Sequence, residues 1–291
     1  MYHGVCRMLP MRDLLADFKE PIPVLDKGFV RAVDCMPRFV DDGQTADQAI
    51  VQAARVSYGA GTKTVREDRA LIHYLMRHQH TSPFEQVEIK FHMRLPIFVA
   101  RQMVRHRTAS LNEESLRYSE ARDEFYLPRV EDIRYQSARN KQGRADERLP
   151  AEEAEAIRRE LEEDQRQMYA RYRSHLDRGV ARELARVNLP VSLMTAWYWK
   201  VDLHNLFHFL KLRLDPHAQY EIRAYAEAMA KVARAVAPVA YEAFEEHVLE
   251  AVRFSRTEMA ALRRMLRGEP HGLEGRPADE FLDKLGLRDR A

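Results

Sequence analysis

Hydrophobic and polar residues alternate most regularly between Val87 and Leu95. Five apolar residues, Val87, Ile89, Phe91, Met93 and Leu95, are separated by charged or polar ones. Strict alternation puts the apolar side chains on one face of a strand, so this segment predicts a strand half buried in a sheet. The aromatic and branched run 191–201 predicts a second core strand. Residues 24–34 predict a strand or hairpin with a turn at 26–28, and 124–127 a short strand.

Helical spacing accounts for most of the remaining chain. Thr45 with Gln48, and Thr64 with Glu67, have the spacing of capping boxes, which predict two amphipathic helices. Further helices are predicted from Pro96 toward Arg105, and over 151–178, 181–188, 202–212, 215–237, 258–266 and 278–285. The polar segment 134–150 is interpreted as a surface loop. The pattern predicts the α+β class, with one small antiparallel-type sheet and segregated helices.

The same pattern suggests three parts. Residues 1–23, which carry three prolines, are predicted to be an N-terminal extension, 24–245 the main domain and 246–291 a C-terminal helical extension. A chain of 291 residues is long enough to bury a full core.

Composition narrows the functional classes. The 47 basic and 45 acidic residues leave a formal net charge of +2, so there is no basic excess of the kind that binds nucleic acid broadly. No apolar run approaches the roughly 20 residues that span a bilayer, and no signal peptide is visible. Cys6 and Cys35 have no metal-binding spacing and fit a reducing cytosol. We therefore expect a cytoplasmic protein without nucleic-acid or membrane partners and without a cysteine nucleophile.

The richest chemistry lies between Arg101 and Arg117. Seventeen residues contain four arginines, one histidine, two serines, one asparagine and two glutamates. Guanidinium groups bind phosphate or carboxylate bidentately, and Glu113 and Glu114 add acceptors for sugar hydroxyls and base N–H groups. Mixed Arg/Glu segments are often solvated helix faces, but this one directly follows the apolar run 95–100. The segment therefore favours a site for a phosphorylated nucleotide.

Other chemistries are weaker alternatives. His73, His78, His80 and His92 invite a zinc hypothesis, but the spacing marks no third ligand, and no metal site is predicted. Ser110 and Ser115 lack a Gly-x-Ser-x-Gly elbow, and their nearest base, His106, lies among arginines that oppose its protonation. Arg186 and Arg213 lie between apolar residues, where a guanidinium normally has a specific partner. A nucleic-acid-binding module and a metal- or serine-dependent nucleotide hydrolase remain as rival functions.

Several motifs together resemble one family. Arg105-His106-Arg107 followed after seven residues by Ser115 resembles the signature of the flavin-dependent thymidylate synthases. Blocks similar to that family also occur in family order over residues 24–245, namely 80–85, 101–102, 112–113, 117–119, 202–204 and 212–219. The resemblance implies the fold of that family and a homotetramer with shared active sites. It also implies FAD-dependent reductive methylation of dUMP to dTMP, with methylenetetrahydrofolate as carbon donor, NADPH as reductant and no covalent protein nucleophile.

The resemblance also assigns residues by position. The residues implied to bind FAD are Ser82, Arg105, His106, Arg107, Glu113, Asp202, Leu203, His204 and His208. Those implied to surround dUMP are Gln102, Met103, Val104, Arg105, Glu113, Glu114, Ser115, Leu116, Arg117, Arg186 and Arg213. Arg213 is the implied catalytic residue, because a cation beside the uracil ring stabilises negative charge there.

Overall fold

The computed structural model describes residues 11–56, 65–138 and 142–287, which belong to two compact units, 1–244 and 245–291. The strands of the first unit are β1 (Met11–Asp13), β2 (Ile22–Val24), β3 (Gly28–Met36), β4 (Phe39–Asp41), β5 (Glu88–Pro96), β6 (Ser110–Glu113), β7 (Arg134–Gln136), β8 (Arg144–Arg148) and β9 (Met194–Asp202). Its helices are α1 (Asp47–Arg55), α2 (Val65–Arg77), α3 (Ile97–Met103), α4 (Ala151–Asp177), α5 (Arg182–Ala185), α6 (Leu203–Arg213), α7 (Tyr220–Val236) and α8 (Pro238–Phe244).

The central feature is a five-stranded antiparallel sheet with the order β2-β3-β5-β9-β6. The alternation in β5 buries Ile89, Phe91 and Met93 completely, and Phe91 lies opposite the buried Trp199 of β9. The predicted core strands and the hairpin of β2 and β3 are therefore confirmed, as is the α+β class. Strands β1 and β4 form a separate two-stranded sheet.

Helix α7 packs on this sheet at a point where only glycine fits. The Tyr225 hydroxyl donates to the backbone carbonyl of Arg94 over 2.7 Å, directly above Gly28. A Cβ atom at Gly28 would meet the Tyr225 oxygen at 1.9 Å and two backbone carbonyls at 2.8 Å. The close approach of helix and sheet therefore depends on the missing side chain.

The helices predicted from capping residues are largely confirmed. Asp202 accepts from the backbone N–H of Asn205 over 2.9 Å and begins α6, as its position predicted. At α1 half of the capping box is present, since the Gln48 side chain accepts from the Thr45 N–H over 2.8 Å. Thr64 lies outside the described residues, but α2 follows it.

Three expectations were wrong. The helix predicted from Asp215 begins at Tyr220, because the Asp215 carboxylate accepts from the His217 N–H over 2.7 Å and forms a turn instead. The predicted loop 134–150 contains the antiparallel pair β7 and β8. The segment Glu124–Leu127 makes only an isolated bridge between Phe125 and Leu193 within the described chain.

The second unit contains a π-helical turn (Glu245–Leu249), α9 (Arg256–Leu266) and α10 (Gly275–Lys284). Ser255 and Glu258 form a reciprocal capping box at the start of α9, and Lys284 Nζ bonds Glu258 Oε1 over 2.6 Å. Phe281 of α10 is fully buried. Across both units, no described helix combines the length and apolar character needed to cross a membrane.

Candidate functional site

The end of α6 and the turn after α3 meet at a guanidinium–imidazole contact. Helix α3 ends at Met103, and the His106 N–H continues the turn by donating to the Met103 carbonyl over 3.0 Å. Arg213, the last residue of α6, donates from Nε to Nε2 of His106 over 3.2 Å. The His106 ring also packs edge-on against Phe209, with the ring centroids 4.9 Å apart. These contacts fix the imidazole plane.

Burial sets the charge of this histidine. Burial, and then the positive charge of Arg213 and the neighbouring His208, lower the pKa of His106 to about 4. At neutral pH the imidazole is therefore uncharged, and because Nε2 accepts from Arg213, the ring proton lies on Nδ1. Burial, and then the charge of Arg105, also lower the pKa of Arg213. A guanidinium stays protonated despite such a shift, so two cations face one site and favour an anionic ligand there.

The last turn of α3 carries Gln102, one of the predicted dUMP residues. Gln102 is half buried, and its Nε2 donates to Oε1 of Gln219 over 2.5 Å. Met103 is completely buried, so its side chain belongs to the core and only its backbone is placed to meet a ligand. Val104 and Arg105 are exposed beside it.

Strand β6 (Ser110–Glu113) lies within the 101–117 segment and was not predicted from the sequence. It pairs with the edge of β9, and Glu114 extends the pairing by donating to the Ala196 carbonyl over 2.9 Å. Glu113 accepts from the hydroxyl of the buried Thr195 over 2.7 Å. A cleft of about 370 Å³ adjoins the two glutamates and is lined further by residues that include His92, Arg94 and Tyr198. Glu113 is therefore anchored from the sheet at one end of an open cleft.

Residues 115–117 form a turn that faces α5. The Ser115 hydroxyl accepts from the Arg117 N–H over 3.3 Å, and Arg117 Nε lies 3.3 Å from a carboxylate oxygen of Glu183. Leu116 packs on a buried cluster of Ala121, Phe125, Tyr172, Ala185 and Leu193. Arg186 follows α5 and is half buried. Among the described residues no hydrogen bond or ion pair joins Arg117 to His106 or Arg213. We refer to residues 115–117 with Arg186 as the Arg117 group, and to Gln102, Arg105, His106 and Arg213 as the Arg213 group.

Of the residues expected to bind FAD, Asp202, Leu203 and His204 lie at the start of α6, His208 lies in its middle and His106 meets its end. Asp202 uses both carboxylate oxygens on Asn205, at 2.9 Å to the backbone nitrogen and 2.7 Å to the side-chain amide. Leu203 is completely buried, and its N–H donates to the Val87 carbonyl over 2.8 Å. That bond ties α6 to the short 3₁₀ helix Ser82–Gln86, where Ser82 is exposed. His204 is half buried, whereas His208 and Arg107 are exposed.

Comparison with known proteins decides the family. The family model described as thymidylate synthase complementing protein matches residues 38–239, and that of the thymidylate synthase ThyX C-terminal domain matches 252–288. A flavin-dependent thymidylate synthase of Treponema denticola is 54% identical over 262 residues, which cover 90% of this chain and 96% of that protein. The chain belongs to the family of the flavin-dependent thymidylate synthases.

Other members of the flavin-dependent thymidylate synthase family are similarly close. A protein of this name from Thermus thermophilus is 56% identical over 271 residues, with 91% of this chain and 95% of that protein covered. Among solved structures, a UMP/dUMP methylase PolB from Streptomyces cacaoi bound with 5-Br dUMP superposes with a TM-score of 0.68. It is 34% identical and covers 78% of this chain and 99% of its own.

Three residues of this flavin-dependent thymidylate synthase family member hold predicted ligand residues, directly or through a neighbour, although no role was assigned to them from sequence. They are Thr195, which holds Glu113, Gln219, which holds Gln102, and Glu221, which holds Gln219. Thr195 is a polar residue in the apolar run 191–201, which is a usable signal. Gln219 belongs to the 212–219 block. Glu221 resembles an ordinary first-turn glutamate and carries no such signal.

Proposed function

We propose that this protein catalyses the FAD-dependent reductive methylation of dUMP to dTMP, with methylenetetrahydrofolate as carbon donor and NADPH as reductant. The observation that carries the proposal is the contact of Arg213 with a neutral His106, with the charge of Arg105 close enough to act on Arg213, in a chain of this family. The structural similarity to a UMP/dUMP methylase supports a pyrimidine nucleotide as substrate.

Arg213 is the proposed catalytic residue. His106 occupies its Nε donor, which orients the planar guanidinium and directs its terminal N–H groups away from the imidazole. A cation held at the N3/O4 edge of uracil stabilises negative charge on the ring and makes C5 more nucleophilic. Because Arg213 is half buried, water screens this charge less than on an open surface.

The second group is suited to the phosphate end of dUMP. The Ser115 hydroxyl and the guanidinium groups of Arg117 and Arg186 are hydrogen-bond donors, as a phosphate requires. Arg117 would exchange its partly exposed ion pair with Glu183 for the nucleotide, a small loss because exposed ion pairs contribute little. Glu113, held by Thr195, and the neighbouring Glu114 supply acceptors for the sugar and base.

Residues on α6 and in the segments before and after α3 fit an FAD site. The Ser82 hydroxyl and the exposed Arg107 would bind its phosphates, and the imidazoles of His106, His204 and His208 offer planar groups beside them. When bound, FAD supplies the hydride that reduces the transferred carbon. Burial raises the pKa of the Cys35 thiol to about 12, so this cysteine stays protonated, which supports a reaction without a thiolate nucleophile at that position.

Assembly would complete the site. We infer a cytoplasmic homotetramer in which the Arg117 group of one protomer faces the Arg213 group of another. Large apolar side chains exposed near both groups support such a contact, namely Val104, Leu111, Tyr118, Leu184 and Val187. A molar mass of one chain, measured by light scattering at micromolar concentration, would contradict this inference.

The function is tested by absorbance spectroscopy of the purified protein with FAD. Under anaerobic conditions NADPH should bleach bound flavin, and dUMP should change the rate. Addition of methylenetetrahydrofolate should then yield dTMP. A protein that leaves FAD free and does not respond to dUMP would overturn the proposal.

A further inference from the structure

A buried carboxylate lies behind one of the proposed dUMP residues. Glu221, in the first turn of α7, is 2% exposed. Its Oε1 accepts from the Tyr126 hydroxyl over 3.0 Å and from the guanidinium of Arg144, and its Oε2 accepts from Nε2 of Gln219 over 2.9 Å. Burial, together with Glu221 itself, raises the pKa of Tyr126, so the phenol keeps its proton and remains a donor.

These contacts impose a direction on two amide groups. A carboxylate paired with arginine only accepts, so Gln219 must turn its NH₂ toward Glu221 and its carbonyl oxygen away. That oxygen accepts from Nε2 of Gln102 over 2.5 Å. Gln102 consequently turns its own NH₂ inward, which leaves its carbonyl oxygen as the group for a ligand.

We propose that Glu221 is a positioning residue that, through Gln219, makes Gln102 a hydrogen-bond acceptor for a donor of dUMP. The inference rests on the proposed function and adds a residue to it. Gln102 and Gln219 are side by side near the surface, where each amide alone would rotate freely between its two orientations. The buried Glu221 carboxylate, at the far end of this series of hydrogen bonds, removes that freedom, and this preorganisation strengthens ligand binding.

Arg144 connects Glu221 to the β7–β8 pair, for which the sequence indicates no role. Arg144 lies on β8 and donates both to Glu221 and, over 2.9 Å, to the Asp132 carbonyl. Its charge compensates the buried carboxylate, which would otherwise be costly to keep ionised. The β7–β8 pair thereby contributes to the orientation of Gln102.

dUMP offers two donors that suit an acceptor, the uracil N3–H and the 3′-hydroxyl of deoxyribose. Its phosphate and its two ring carbonyls are acceptors and would not bind a carbonyl oxygen. The polarity of Gln102 therefore selects for an N–H or O–H edge of the nucleotide.

Glu221→Gln tests the proposal because it nearly preserves shape while reversing polarity. Tyr126 and Arg144 both donate to the Oε1 position, so the new amide must place its oxygen there and its NH₂ toward Gln219. Gln219 and then Gln102 should turn over, and Gln102 should present NH₂ to the ligand. The loss of one hydrogen bond predicts a dUMP dissociation constant raised about tenfold. FAD affinity should be unchanged.

The measurement is calorimetric titration of the FAD-loaded protein with dUMP. Glu227→Gln, the same replacement on the exposed side of α7, is the matched control and should bind dUMP as the wild type does. Gln219→Ala interrupts the relay at an exposed position and frees the Gln102 amide to rotate, so if Glu221→Gln fails to fold this variant should still weaken dUMP binding, by a smaller factor. In a Gln102→Ala background neither replacement should weaken binding further, because the group they orient is gone.

Nucleotide analogues identify the donor. If N3-methyl-dUMP or the 3′-deoxy analogue binds wild type and Glu221→Gln equally, the group missing from that analogue is the partner of Gln102. Additive losses in the Gln102→Ala background, or unchanged dUMP affinity in both relay variants, would overturn the inference. A wild-type protein that does not bind dUMP at all would instead refute the proposed function.

Discussion

Arg213 donates from Nε to Nε2 of His106 over 3.2 Å, and this bond joins two segments that are 107 residues apart in the sequence. The imidazole can accept only while it is neutral, and its surroundings keep it neutral by lowering its pKa to about 4. The charge state of one residue therefore determines the orientation of the other. The prediction for His106 tests this relationship.

Replacement of Arg213 by alanine should reduce turnover far more than FAD affinity. The guanidinium is proposed to stabilise charge on the pyrimidine, and removal of one such group typically lowers kcat by about 10²–10³-fold. Steady-state rates of dTMP formation and a flavin titration measure the two effects. Lys211→Ala, in the exposed last turn of the same helix, is the control and should retain activity. A comparable loss of FAD binding would make Arg213 structural.

Protonation of His106 should destabilise the protein in mildly acidic solution. Its folded-state pKa of about 4 lies below the ordinary value of 6.5, so the unfolded chain binds more protons between these values. This contribution is absent above pH 6.5 and grows as the pH falls toward 4. Urea unfolding at about pH 7.5 and about pH 5 should show His106→Asn losing less stability than wild type, by on the order of 1 kcal/mol.

An unchanged pH dependence in His106→Asn would mean that the folded protein binds the proton as readily as the unfolded chain. The Arg213 contact would then not require a neutral ring.

Ser115→Ala should retain appreciable activity. The hydroxyl accepts from the Arg117 N–H and is proposed to orient the nucleotide, not to attack it. Loss of one hydrogen bond to the phosphate predicts a KM for dUMP raised by about ten- to a hundredfold, with kcat largely kept. A rate measurement over a range of dUMP concentrations separates the two constants. Complete inactivity together with intact dUMP binding would restore the serine-nucleophile hypothesis.

Features set by neighbouring residues were predictable from sequence. The cap of α6 involves only Asp202 and Asn205, and the burial of β5 follows from its own alternation. Strand β6 was missed because all four of its residues are exposed, so no alternation marks them, and its pairing is supplied by β9. The start of α7 was misplaced because the Asp215 side chain competes for the backbone.

In the candidate site, too, local features were predictable from sequence and long-range contacts were not. The composition of 101–117 predicted a nucleotide site, and the motifs indicated the family. The partners of the individual groups did not follow, because they come from distant segments. Glu221 meets Tyr126 and Arg144 across separations of 95 and 77 residues, and nothing in its local sequence indicates that it is buried.

Asp47, in the first turn of α1, caps the start of helix α8. Asp47 is 3% exposed, and its carboxylate accepts from the N–H groups of Ala240 over 2.8 Å and Val239 over 3.1 Å. These are first-turn donors of α8, which have no partner within their own helix. The Thr45 hydroxyl donates to the same carboxylate over 2.7 Å.

Asp47→Ala should therefore lower the free energy of unfolding by about 2–4 kcal/mol, since it leaves the buried N–H of Ala240 and the partly buried N–H of Val239 without acceptors. Asp47→Asn keeps one acceptor oxygen and should lose roughly half as much, which separates hydrogen bonding from the filling of space. Urea denaturation followed by circular dichroism gives both values. The control Asp42→Ala removes an exposed carboxylate from the preceding turn and should change stability by less than about 0.5 kcal/mol. Equal effects at the two positions would show that α8 does not depend on a cap from α1.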